Sequence, residues 1–175
     1  MTAPIEIRLG SPAQLFNTLD PTPFREGDLA TEAEEYILDW AGELPPKAPL
    51  AIVLHLPPAE AATPAAAALP TAVTGHFARR AEAATRDLRR NFREGRTALA
   101  VGLAILAACL GIALLLTPEG EARGLARFVQ ESFVIVGWVA LWKPAEILLY
   151  DWLPIARKRA LFRRLAAAPV RIAAD

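Results

Sequence analysis

The chain has 175 residues, 54% of them apolar and 22% charged, with a formal net charge of zero. That length fits one small domain plus membrane segments, and the single cysteine, Cys109, excludes an intrachain disulfide. The neutral total hides a segregation of charge: residues 1–60 carry three basic residues against ten acidic ones, a net of −7, whereas residues 76–96 net +4 and residues 154–175 net +5.

From the N-terminus, Ile5, Ile7 and Leu9 alternate with Glu6 and Arg8, the pattern of a half-buried strand. Gly10-Ser11-Pro12 punctuates it, and a short helix is expected over 13–19, with Ser11 as its cap and Pro12 at its first position. The opening residues have neither the basic-then-apolar pattern of a signal peptide nor the glycine that myristoylation needs. Prolines 21 and 23 stiffen a loop over 20–28.

A second helix follows. Leu29, Ala33, Tyr36, Ile37, Trp40, Ala41 and Leu44 fall on one face, Thr31 and Glu34 suit a capping box with Asp28 as an alternative cap, and Pro45-Pro46 stops it. Leu50 to Leu56 is a nearly continuous apolar run, read as a strand covered on both faces. Residues 1–56 thus form a small α+β head in the order strand, helix, helix, strand. Two strands make a poor core, so this head is expected to pair with another copy or dock on a partner.

Residues 57–70 read as a semi-stiff Pro/Ala linker. Residues 71–96 read as an amphipathic basic helix, with Val73, Phe77, Ala81, Ala84, Leu88 and Phe92 as its stripe and Gly95 as a break at its end. Residues 97–117 contain no charged residue and form transmembrane helix 1, because a helix rising about 1.5 Å per residue crosses a hydrocarbon core of about 30 Å in about 20 residues. Cys109 sits inside it as a small buried apolar residue. Residues 118–127 form a short external loop, residues 128–152 transmembrane helix 2, and residues 153–175 a basic cytoplasmic tail in which Pro154 breaks the helix and Pro169 to Ile172 is a short extended end.

The basic clusters flank the hairpin on one side, so both termini are expected in the cytoplasm, with Trp142, Tyr150 and Trp152 as an aromatic belt at the inner end. The Ala- and Arg-rich composition points to a bacterium, hence to its inner membrane. The fold class is therefore a membrane protein with a cytoplasmic α+β head, a basic helix and a two-helix transmembrane hairpin.

Three sets of residues stand out. Lys143 and Glu146 are three apart on span two and form a candidate intramembrane charge pair, which admits four roles: a snorkelling pair, an interfacial pair at a kink near Pro144, an oligomer contact, or a transport path. Arg79, Arg80, Arg86, Arg90, Arg93, Arg157, Lys158, Arg159, Arg163 and Arg164 are candidates for contact with anionic lipid or with the acidic head, beside their plain role as topology determinants. Ala104, Ala108, Gly111 and Gly137, with Ala107, permit close helix packing. His55 and His76 lie in different elements without metal-ligand spacing, and no nucleophile elbow, phosphate loop or paired-carboxylate signature is present. No catalytic residue, cofactor or metal is expected. No aromatic platform accompanies the arginines, so nucleic acid is not an expected partner.

Two stretches, Leu15 to Phe24 with Asp28-Leu29 and Ala33 to Ile37, and Val136 to Trp152, resemble a family of uncharacterised bacterial two-span membrane proteins with a small N-terminal soluble head. The resemblance implies that architecture and no activity. The expected function is a non-enzymatic inner-membrane scaffold or partner-binding module that contacts anionic lipids and an unidentified protein or a second copy. The alternative is a small homo-oligomeric channel or transporter component using Lys143 and Glu146.

Overall fold

The structure, a computed structural model, describes residues 3–16, 28–45, 48–116 and 125–175. The elements are β1 (Ala3–Arg8), a 3-10 turn (Pro12–Leu15), α1 (Thr31–Glu43), β2 (Leu50–Leu56), α2 (Pro58–Ala61), α3 (Pro64–Leu116), α4 (Leu125–Ala140), α5 (Trp142–Glu146), a π turn (Ile147–Asp151), α6 (Trp152–Ala166) and β3 (Val170–Ala174). The chain is mostly helical, with one small sheet. It divides into two compact units, Met1–Thr85 with Arg157–Asp175, and Arg86–Ala156.

The first unit is built on a parallel sheet of order β1-β2-β3, with Ile5 paired to Ile52 and Leu54 to Ile172. The 55-residue strand-helix-helix-strand head expected from sequence differs from this in three ways. Its first helix is only a 3-10 turn, with residues 17–27 outside the described residues. The sheet has a third strand, β3, contributed by the segment expected to be a tail. The two-stranded core is also completed from within the chain: Ala66, Leu69, Val73, Phe77, Ala81 and Ala84 of α3, and Phe162 and Leu165 of α6, join Ile5, Ile37, Ile52, Leu54 and Leu56 in one buried cluster. Apolar side chains from α3 and α6 enlarge this core.

β2 is buried at Leu50, Ile52, Leu54 and Leu56 and only half-buried at Ala51, Val53 and His55, so it is covered on one face rather than two. The uninterrupted apolar run misleads here because Ala51 and Val53 tolerate partial exposure. On the open face His55 lies against Asp175, and its Nε2 is 3.9 Å from Glu6.

The expected linker is helix. Pro64 stands at the first position of α3, where a missing N–H costs nothing. Thr63 Oγ1 accepts the N–H of Ala66 at 3.2 Å and so caps this start. Pro70 lies inside the helix and deprives the Ala66 carbonyl of its usual donor, a cost of about 3 kcal/mol in a helix interior. Burial of Ala66, Leu69 and Val73 in the core outweighs it. Pro154 is likewise accommodated, in the first turn of α6. The expected break at Gly95 does not occur, because α3 continues without interruption for 53 residues.

On α1, Ile37 and Ala41 are buried, but Tyr36 and Trp40, expected on the same face, are 43% and 49% exposed. The capping box also does not form: no side chain caps α1, and Glu34 is engaged elsewhere.

The second unit pairs the C-terminal part of α3 with α4, α5 and the π turn in antiparallel fashion. Gly137 faces Leu106, Gly102 faces Ala140 and Pro144, and Gly95 faces Ile147 and Leu148. Span two is not one smooth helix. Pro144 removes a helical donor, the chain turns at Leu141, and the ladder resumes through α5 and a π turn before α6. Two helical stretches, Pro64–Leu115 and Arg127–Ala166, are long and apolar enough to cross a membrane. Only 17% and 11% of their most apolar windows are buried. The expected external loop over 118–127 falls mostly outside the described residues.

Candidate functional site

Two clusters of charged side chains draw attention, one in each unit. In the first, His76 projects from α3 and is 3% exposed, the one buried polar residue among those described. The Leu29 N–H approaches its Nδ1 at 3.4 Å as a donor. The other ring nitrogen, Nε2, lies 3.3 Å from Glu34 Oε2. Asp28 Oδ1 is 3.3 Å from Nδ1. Glu34, its side chain 12% exposed, receives Arg80 on its other oxygen at 2.6 Å, while Arg79 reaches Asp28 at 3.6 Å. Arg80 also lies over the Phe162 ring, 5.7 Å from its centroid.

Burial lowers the His76 pKa below its ordinary value, with the Glu34 and Asp28 carboxylates pulling the other way. The two oxygens of Glu34 are thus divided between an arginine and a histidine. That arrangement clamps α1 onto α3. Sequence reasoning set His76 aside for want of metal spacing and did not connect it to Glu34. A histidine on the apolar stripe of α3, one residue from Phe77, was the signal that a buried polar contact would be needed.

In the second unit, Lys143 Nζ is 3.1 Å from Glu146 Oε2, and the two side chains are 67% and 46% exposed. They adjoin the kink at Pro144. Lys143 lines a groove together with Arg93, Glu94 and Thr97, so it is level with the start of the charge-free stretch of α3.

The other residues singled out from sequence divide by contact. Arg79 and Arg80 meet acids of the head, and Arg164 donates to the carbonyls of Pro45 and Ala48 at 3.1 and 3.0 Å. Arg163 lines a shallow recess with Ala81, Thr85 and Ala167. Arg90 pairs with Glu94 at 2.7 Å. Arg86, Arg93, Arg157 and Lys158 are exposed, and Arg159 is half-buried.

Among the small residues, Gly137 is buried at the helix contact, but a Cβ on Gly111 would touch nothing within 4 Å, and Ala104, Ala107 and Ala108 are exposed. Close approaches fall on Gly137 and also on Gly95 and Gly102, which were not among the expected packing residues. Cys109 is buried beside Gly137. No group of three or more His, Cys, Asp or Glu side chains among the described residues is placed to hold a metal.

Comparison with known proteins finds no family model, no curated protein and no solved structure that matches the chain.

Proposed function

We propose that the chain is a non-enzymatic, membrane-anchored protein of a bacterial inner membrane, with both termini cytoplasmic and a head that binds a protein partner. One observation carries the anchoring. The long apolar side chains of the second unit, among them Leu103, Leu114, Leu115, Ile135, Trp138 and Val139, point outward, the reverse of a soluble core helix. Seven arginines precede the charge-free stretch over 76–96, whereas residues 118–127 after it hold two arginines against two acids, an asymmetry that supports the orientation.

The antiparallel pairing bears on Lys143 and Glu146. Because Gly102 faces Pro144 and Gly95 faces Ile147, the two charged residues stand within about two turns of Arg96 along the axis. At that level long side chains reach the headgroups, and the pair neutralises itself. This supports an interfacial role over a path through the bilayer.

For the head, the exposed Tyr36 and Trp40, 6.3 Å apart by ring centroid and flanked by Glu32, Glu35, Asp39 and Glu43, are the best-placed contact surface. Aromatic side chains of this kind dominate the energetics of protein interfaces.

Alkaline extraction tests the anchoring: the chain stays with the membrane pellet, and release into the supernatant would refute it. Gly120→Cys in a Cys109→Ala background tests the orientation, with labelling by an impermeant maleimide expected from the outside. Ion flux through reconstituted vesicles that Glu146→Gln abolishes would replace this reading with a channel.

A further inference from the structure

The second unit carries two recesses that share a residue. The first is a groove of about 550 Å³, with small residues Ala98, Gly102 and Ala140 along it and Val101 and Ile105 beside them. That volume lies within the range of small-molecule sites, and the lining is mostly apolar. Arg93, Glu94 and Lys143 also line it, and Lys143 is paired with Glu146. The second recess is lined by Phe92 and by arginines 86, 89, 90, 93 and 96. Those arginines recur at intervals of three and four and so share one face of α3. Arg93 belongs to both recesses.

The charge in this region is not balanced. Glu94 is taken by Arg90 at 2.7 Å and Glu146 by Lys143 at 3.1 Å. Arg86, Arg89, Arg93 and Arg96 have no ion-pair partner among the described residues. An arginine face therefore opens directly into an apolar groove, and the change from one to the other falls at Thr97, where the charge-free stretch begins.

We infer that this pair of recesses is a binding site for one anionic phospholipid, its phosphate on Arg93 and the neighbouring Arg89 and Arg96, and an acyl chain along Val101 and Ile105. The inference rests on the membrane reading above and deepens it. A guanidinium matches phosphate geometry better than an ammonium does, and a net negative headgroup satisfies several arginines at once. A zwitterionic headgroup would bring a cation against them. Free phosphate would leave the adjoining apolar groove unfilled.

The full chain is incubated with vesicles of equal phosphatidylglycerol and phosphatidylethanolamine, extracted in mild detergent, and its retained lipid counted by native mass spectrometry. The wild type should hold phosphatidylglycerol in preference. Arg93→Gln should weaken retention about fivefold, and Arg89→Gln, Arg93→Gln and Arg96→Gln together about a hundredfold, since each basic residue contributes about 1 kcal/mol at a lipid surface. These side chains are exposed, so their loss leaves the fold intact. Ala98→Phe, which fills the groove without altering charge, should also lower retention.

Equal retention of the two lipids by the wild type would overturn the inference. So would unchanged retention in the triple variant, or full displacement by millimolar inorganic phosphate, which would mark a headgroup-only anion site. Flotation with the vesicles is scored separately. A chain that fails to float refutes the membrane reading itself, whereas one that floats without lipid preference refutes only the site.

Discussion

Replacing Gly102 with alanine should loosen the second unit, although alanine is the better helix former. A Cβ at position 102 would lie 2.9 Å from the Ala140 carbonyl oxygen, 3.1 Å from Leu141 Cδ2 and 3.4 Å from Pro144 Cγ. The nearest of these atoms is backbone, so no side-chain rotation relieves it. It also belongs to the turn of α4 that Pro144 has already deprived of a donor. Overpacking of this kind costs about 1–3 kcal/mol, against a gain of up to about 1 kcal/mol from helix propensity. The expected net is a loss of up to about 2 kcal/mol.

Gly111→Ala is the internal control, because nothing lies within 4 Å of its Cβ position and only the propensity gain remains. Unfolding of the full chain in mild detergent, titrated with sodium dodecyl sulfate and followed by far-ultraviolet circular dichroism, should put the two variants on opposite sides of the wild type. Coincident midpoints for Gly102→Ala and Gly111→Ala would refute the packing argument.

Other predictions concern the head. Because burial lowers the His76 pKa, the folded state favours the neutral imidazole and the unfolded chain protonates first. The stability this contributes is complete above about pH 6.5 and is lost as pH falls from there through the folded-state value. The Tm measured from pH 7.5 down to 5.5 should therefore drop in the wild type and flatten in His76→Gln; parallel slopes would exclude His76 as the source. Ending the chain at Ala168 removes β3, with the half-buried Val170 and Ile172, and should cost roughly 3 kcal/mol, read as faster limited proteolysis of the head. Trp40→Ala should change stability by no more than about 0.5 kcal/mol while abolishing a cross-linked adduct formed through α1 in native membranes; retention of the adduct would move the contact elsewhere.

Local chemistry made part of this protein legible in advance. The charge-free stretch from Thr97 needs no tertiary information, since length and apolarity alone qualify a helix to cross a bilayer. β1, α1 and β2 were visible because alternation and 3.6-residue periodicity are properties of the segment itself. β3 was not. Its residues, Val170 to Ala174, become a strand by pairing with β2, from which they are separated by more than a hundred residues. The helicity of 64–70 was hidden for a related reason: two prolines argue against it locally, and only burial against the head core overrides them.

The charged residues divide in the same way. That Lys143 and Glu146 can pair followed from their spacing. That Glu34 serves Arg80 and His76 instead of capping its own helix depends on α3 crossing α1, which no spacing within 31–43 encodes. Gly95 reads as a break and Gly102 carries no local signal, because close approach is a relation between two helices. Composition and periodicity alone determined β1, α1, β2, the charge segregation and the two stretches apolar enough to cross a membrane. The completed head core, the His76 clamp and the close approaches at Gly95 and Gly102 were decided only in three dimensions, where burial and backbone proximity outweigh local preference.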